Sequence, residues 1–253
     1  MLMKLFKRDF KESLKTWIIC TATLILLFVV IYASSGAMKN RGYVMVEQYF
    51  TMFATIIPLI YVITTANRLV VNQVEDDSFF MIMVSPYKRI NIILTKIVYY
   101  VSSITVMHGL LMIVVAIMTH ANPLAGLEPS NAILLCLYTF LITLAISSIC
   151  FFASVFFNAK KNSSLLGTGF PLVSYILYTL SNMFTNIPQG DDPLPLIDIL
   201  NNLKYVSIYS LCNSDLIAER SPWLIFIAIA LVVFTGGVYT ASSIVSTKKD
   251  LCL

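Results

Sequence analysis

Residues 67–96 read NRLVVNQVEDDSFFMIMVSPYKRINIILTK, a polar passage set between two long apolar stretches. Glu75, Asp76 and Asp77 stand just ahead of the apolar run Phe79–Val84, and Ser85-Pro86-Tyr87-Lys88-Arg89 follows it. Carboxylates in that position complement the partial positive charge of the free N–H groups at a helix start. Pro86 closes the helix, because it lacks an N–H and pushes Ser85 out of helical geometry. The apolar run is about two turns long, far short of the ~20 residues that a membrane span needs. The passage therefore predicts a short helix within a membrane-side link, 67–89, with one face free to meet a partner. A run of exposed apolar side chains beside charge marks a docking surface rather than a solvated loop, with lipid as the competing partner.

The rest of the chain explains why such a helix stands out. Of 253 residues, 58% are hydrophobic and only 12% charged, and the mean hydropathy is +0.84. A soluble domain carries about 25% charged residues to cover its surface. The charges here are clustered between long apolar segments, which predicts an all-α polytopic membrane protein forming a single transmembrane domain over 1–253. Six spans are expected, at 17–33, 49–66, 90–118, 132–157, 165–184 and 223–245.

Net charge of +4 could suggest nucleic acid, but its distribution does not. Five basic residues precede the first span (Lys4, Lys7, Arg8, Lys11, Lys15), and four flank the link (Arg68, Lys88, Arg89, Lys96). Lys160 and Lys161 follow span four, and Lys248 and Lys249 lie in the tail; Lys39, Arg41, Lys204 and Arg220 fall on the other side. By the positive-inside rule, both termini and the link are cytoplasmic, which an even number of spans satisfies. Residues 1–16 carry Leu2, Phe6, Phe10 and Leu14 at four-residue spacing among lysines, the pattern of an interfacial amphipathic helix near anionic lipid. A cleaved signal peptide is the competing reading. The apolar run from Trp17 to Ala33 is longer than the usual signal core, and further spans follow.

Between spans five and six lies the longest outer connection, 185–222. Pro188, Gly190, Asp191, Asp192, Pro193 and Pro195 open it, and Leu196, Ile199, Leu200, Leu203 and Val206 then repeat at helical spacing, predicting an outer amphipathic helix. Pro58 falls near the middle of span two and predicts a kink there. Lys96, near the start of span three, is expected to snorkel to the inner interface.

Residues 75–96 resemble the link between the second and third spans of ABC-2-type exporter permeases. That link carries an acidic pair, a Gly-Thr step, a leucine-rich turn, Pro-x-x-Arg, and a Lys seven residues after the Arg. Pro86-Tyr87-Lys88-Arg89 and Lys96 match in register, and Ser78 stands where Thr is usual. Asp77 replaces the Gly, and Phe80 replaces the acidic residue of the turn. The resemblance implies a coupling helix that docks on a separate cytosolic ATPase through Glu75, Asp76, Asp77, Ser78, Phe79, Phe80, Met81, Ile82, Pro86 and Arg89. It also implies a second permease subunit, identical or not, and a bacterial plasma-membrane location. Within the family the chain is similar to permeases that export amphipathic peptides such as the phenol-soluble modulins; lipid-like cargo would give a similar pattern.

The chain itself holds no Gly-x-x-x-x-Gly-Lys-Ser/Thr phosphate loop. It is therefore expected to be non-catalytic and to hold no cofactor, with ATP and magnesium bound by the partner. Five cysteines show neither disulfide nor metal-site spacing. His108 falls inside span three, where a proton relay competes with an interhelical hydrogen bond. Two stripes recur at helical spacing: Thr51, Thr55, Pro58, Tyr61 and Thr65 on span two, and Thr168, Pro171, Tyr175, Tyr178 and Asn182 on span five. Helix packing and path lining produce the same face; the resemblance implies lining, since spans two and five of the family face the central path. The alternative class of function is an ATP-independent membrane carrier or an assembly factor.

Overall fold

A computed structural model of the chain describes residues 2–36, 42–75, 89–123, 128–157, 160–185, 207–211, 217 and 222–248. Among the described residues the fold is all-helical. In chain order the helices are α1 (Leu2–Ser35), α2 (Gly42–Gln48), α3 (Ala54–Leu69), α4 (Val71–Glu75), α5 (Arg89–Ala121), α6 (Pro129–Phe156), α7 (Lys160–Thr185) and α8 (Trp223–Lys248). A π-helical turn, Tyr49–Phe53, joins α2 to α3, and a short 3-10 turn spans Ile208–Leu211.

Among the described residues, five stretches are long and apolar enough to cross a membrane: Leu5–Ser35, Tyr43–Val74, Arg89–Ala121, Pro129–Phe156 and Trp223–Thr247. The expected fifth span lies in α7, whose apolar part, Leu165–Ser181, is shorter. The predicted outer helix, in 185–206, lies outside the described residues, as does most of the link.

Two long-range hydrogen bonds fix the sense of the bundle. Tyr32 Oη, near the end of α1, donates to the Asn122 carbonyl just past α5. Tyr138 Oη, early in α6, donates to the Leu224 carbonyl at the start of α8. Successive long helices alternate in direction, so Leu2, Lys248 and the two roots of the link, Glu75 and Arg89, share one end. Helix α6 lies in the middle and touches α3, α5, α7 and α8. Its small and hydroxylated residues, Ala132, Cys136, Thr139, Thr143, Ser147 and Ser154, are all buried. Hydroxyls in such positions bond back to their own helix and let neighbours approach closely: Thr143 Oγ1 donates to the Thr139 carbonyl at 2.7 Å.

Residues 2–16 do not form a separate element. They continue unbroken into a 34-residue helix, since no glycine or proline interrupts the chain from Leu2 to Ser35. The inward face also differs from the expected apolar one. Leu5, Asp9 and Ser13 are buried, while Phe10 is exposed and Phe6 sits edge-on to Tyr99 at 5.3 Å.

Candidate functional site

The ends of the link carry the polar chemistry of this fold. Lys96, expected to reach out to the interface, has no exposed surface. Its Nζ donates to the Leu69 carbonyl and, at 2.5 Å, to Gln73 Oε1. Gln73 Nε2 in turn donates to Asp9 Oδ1 at 3.4 Å, and Asp9 too is fully buried. The snorkelling expectation fails for a physical reason. Lys96 lies about 10 Å into α5, facing α1 and α3, and finds an acid and two acceptors inside the protein. Stranding one charge of a buried pair costs about 3–5 kcal/mol, so such a lysine stays inside only when partnered.

A neutral seam continues from these charges toward the middle of the bundle. Tyr61 Oη donates to Ser103 Oγ at 2.8 Å, Trp17 Nε1 to the Ser103 carbonyl at 3.0 Å, and Tyr100 Oη to the Val62 carbonyl at 2.7 Å. On the more exposed side, Arg8 Nε lies 3.4 Å from Glu12 and 3.9 Å from Asp9, and Arg68 donates to the Glu12 carbonyl at 2.5 Å. Sequence reasoning missed Asp9, Gln73 and Lys96 as a group. The available signal was an acid, Asp9, set between Arg8 and Lys11, one helical turn before Ser13.

Of the coupling residues, Asp76, Asp77, Ser78, Phe79, Phe80, Met81, Ile82 and Pro86 lie outside the described residues. Glu75 ends α4, and Arg89 opens α5 with its side chain exposed.

The two polar stripes are partly brought together. Thr51 Oγ1 donates to the Glu47 carbonyl at 2.8 Å, and Thr55 Oγ1 to the Phe50 carbonyl at 3.0 Å. Pro58, Tyr61 and Thr65 are buried. The π turn is held against α1: Tyr49 donates to the Leu24 carbonyl at 2.8 Å and packs on Phe28 at 5.2 Å, while the Ala54 N–H reaches back to the Tyr49 carbonyl. On α7, Tyr175 Oη donates to the Met52 carbonyl in that turn at 3.3 Å. Pro171 accepts from Tyr209 Oη at 3.5 Å, Tyr178 packs on the Tyr209 ring, and Thr168 is partly buried. Burial pushes the Tyr209 phenol above its ordinary value, so it serves as a neutral donor. The Asn182 side chain lies outside the described residues. Of the described stripe residues, Tyr61 and Tyr175 bond to other segments of the bundle, Thr51 and Thr55 bond back within their own, and Pro171 and Tyr178 meet the 3-10 turn.

His108 is buried, with Nδ1 3.1 Å from the Ile104 carbonyl and Nε2 3.5 Å from Thr143 Oγ1. A carbonyl only accepts, so Nδ1 carries the proton. Among the described residues no three His, Cys, Asp or Glu side chains cluster closely enough to hold a metal. Cys20, Cys136 and Cys150 are buried and unpaired with one another, and Cys150 Sγ donates to the Gly167 carbonyl at 3.0 Å. The chain matches no protein-family model and no curated protein.

Proposed function

We propose that this chain is the membrane subunit of an ATP-driven exporter of ABC-2 type, with six spans and both termini in the cytoplasm of a bacterial cell. A separate ATPase, holding ATP and magnesium, grips the link at Glu75–Arg89, and a second permease subunit completes the path. The cargo is an amphipathic peptide or a lipid-like molecule, which suits apolar spans dotted with hydroxyls. The observation that carries this reading is the common end of the bundle shared by Leu2, Lys248 and both roots, Glu75 and Arg89, of a link whose sequence runs from acidic to apolar. A segment too short to span and too apolar for water, set between two anchored roots, has the chemistry of a docking element.

Driven movement of the link would pass to α3, which carries the π turn and Pro58, and to α5. The test is affinity capture of the full chain from its native membranes. A phosphate-loop ATPase is expected to come with it. Phe79→Asp combined with Phe80→Asp is expected to release that partner while insertion into the membrane is unchanged. Capture with no ATPase, or an ATPase retained by the double variant, removes the docking role and leaves an ATP-independent carrier or assembly factor. Pro58→Ala is expected to lower transport without lowering assembly; equal loss of both would remove the hinge.

A further inference from the structure

Three segments far apart in the sequence meet at one buried amide. Gln73, 5% exposed, belongs to α4, in the first part of the link. Lys96 belongs to the first turns after it, and Asp9 to the start of α1. The amide faces both ways: its oxygen accepts a hydrogen bond from Lys96 Nζ at 2.5 Å, and its nitrogen donates one to Asp9 Oδ1 at 3.4 Å. The second contact is near the limit of a hydrogen bond, and the first is short. A shift of either root by about an ångström breaks the chain of contacts. Neither charge has water to fall back on, because both Asp9 and Lys96 are 0% exposed. The Arg68 guanidinium, on the last turn of α3, ties the same stretch of α1 through the Glu12 carbonyl.

We propose that Asp9, Gln73 and Lys96 form a charged joint that fastens the N-terminal helix to both roots of the link, with Asp9 as the positioning residue that makes this helix follow any displacement of the link. The fastening stands on the contacts alone; the transmission of movement rests on the exporter reading. A joint of this kind differs from packing in one measurable way. Removing one of the two charges unbalances the joint and loosens the helix, whereas removing both restores the balance.

The reporter for fastening is Ser13→Cys in the full chain, in native membranes, one turn from Asp9 on the same inward face. Its maleimide labelling is read by mass spectrometry at position 13, so the other cysteines need not be removed. Asp9→Asn and Lys96→Met, each alone, are expected to speed labelling about tenfold through local opening. The double variant is expected to return close to the parent rate. Unchanged labelling in the single variants, or a double variant as fast as either single, overturns the joint. Should a single variant be lost from the membrane, recovery of parent levels in the double supports the joint, and continued loss overturns it.

Transmission is read in inside-out vesicles as ATP-dependent uptake of a fluorescent amphipathic helical peptide. The double variant, protected at position 13 but lacking the charges, is expected to take up peptide about tenfold more slowly than the parent, a loss of coupling of about 1.4 kcal/mol. Parent-like uptake overturns transmission and leaves the fastening intact. A parent that takes up no peptide counts against the exporter reading, and the labelling result then decides the fastening independently.

Discussion

Helices α6 and α8 are alike in hydropathy and opposite as structural elements. Both are apolar over lengths that span a bilayer, yet 67% of the span window of α6 is buried within the chain against 17% of that of α8. Apolar content reports compatibility with lipid, and lipid and protein interior are equally apolar. What separates the two is where small and polar groups sit. In α6 they recur around the helix, as Cys136, Thr139, Thr143, Ser147, Ser148, Cys150 and Ser154, and all are buried. In α8 Tyr239, Ser242 and Ser243, in the second half of the helix, are buried, and Tyr239 Oη meets Ser147 Oγ at 2.7 Å. Trp223, Phe226, Val232 and Val233, in its first half, are exposed.

Substitutions along the two helices give the contrast numbers. The largest effect is expected for Phe151→Ala, since that ring is fully buried between Tyr100 and Tyr239 at 5.9 Å each. Large-to-small changes of this kind cost about 3–5 kcal/mol, read as a lower thermal midpoint of the detergent-solubilised protein. Ala145→Leu, also fully buried, follows at about 1–3 kcal/mol through overpacking. Tyr239→Phe removes only the hydroxyl paired with Ser147, and interhelical hydrogen bonds in membranes average about 0.6 kcal/mol.

The smallest effect is expected for Gly236→Ala. A Cβ there meets nothing within 4 Å, and the helix gains at most about 1 kcal/mol in propensity. The midpoint should hold or rise slightly. A marked fall would mean that another protein covers this face of α8, and the contrast with α6 would dissolve. Gly167 is the sharper control, since a Cβ there comes 3.4 Å from Ala153 Cβ.

Much of the architecture was legible because hydropathy and sequence punctuation are local. The expected span 90–118 falls within Arg89–Ala121, and 223–245 within Trp223–Lys248. Cys20, Cys136 and Cys150 fall within the expected spans 17–33 and 132–157, and all three are buried. The features that local reading could not supply are relational. Nothing near Lys96 in sequence announces an acid, because its counter-charge comes from the far end of α1. The π turn at Tyr49–Phe53 likewise depends on Phe28 and Leu24 of another helix. The continuation of residues 2–16 into the first long helix was hidden by an amphipathic pattern whose inward face proved to be polar.

The burial of Lys96 has a consequence for synthesis. The ribosome delivers Asp9 long before Lys96, so the acid is in place when the base enters the bilayer. A lone lysine at the centre of a membrane helix costs about 2.5–3.5 kcal/mol on insertion, enough to delay a nascent segment at the translocon. Shortening the protein from its amino end would then act at a distance, leaving the third span as the segment that quality-control proteases attack first.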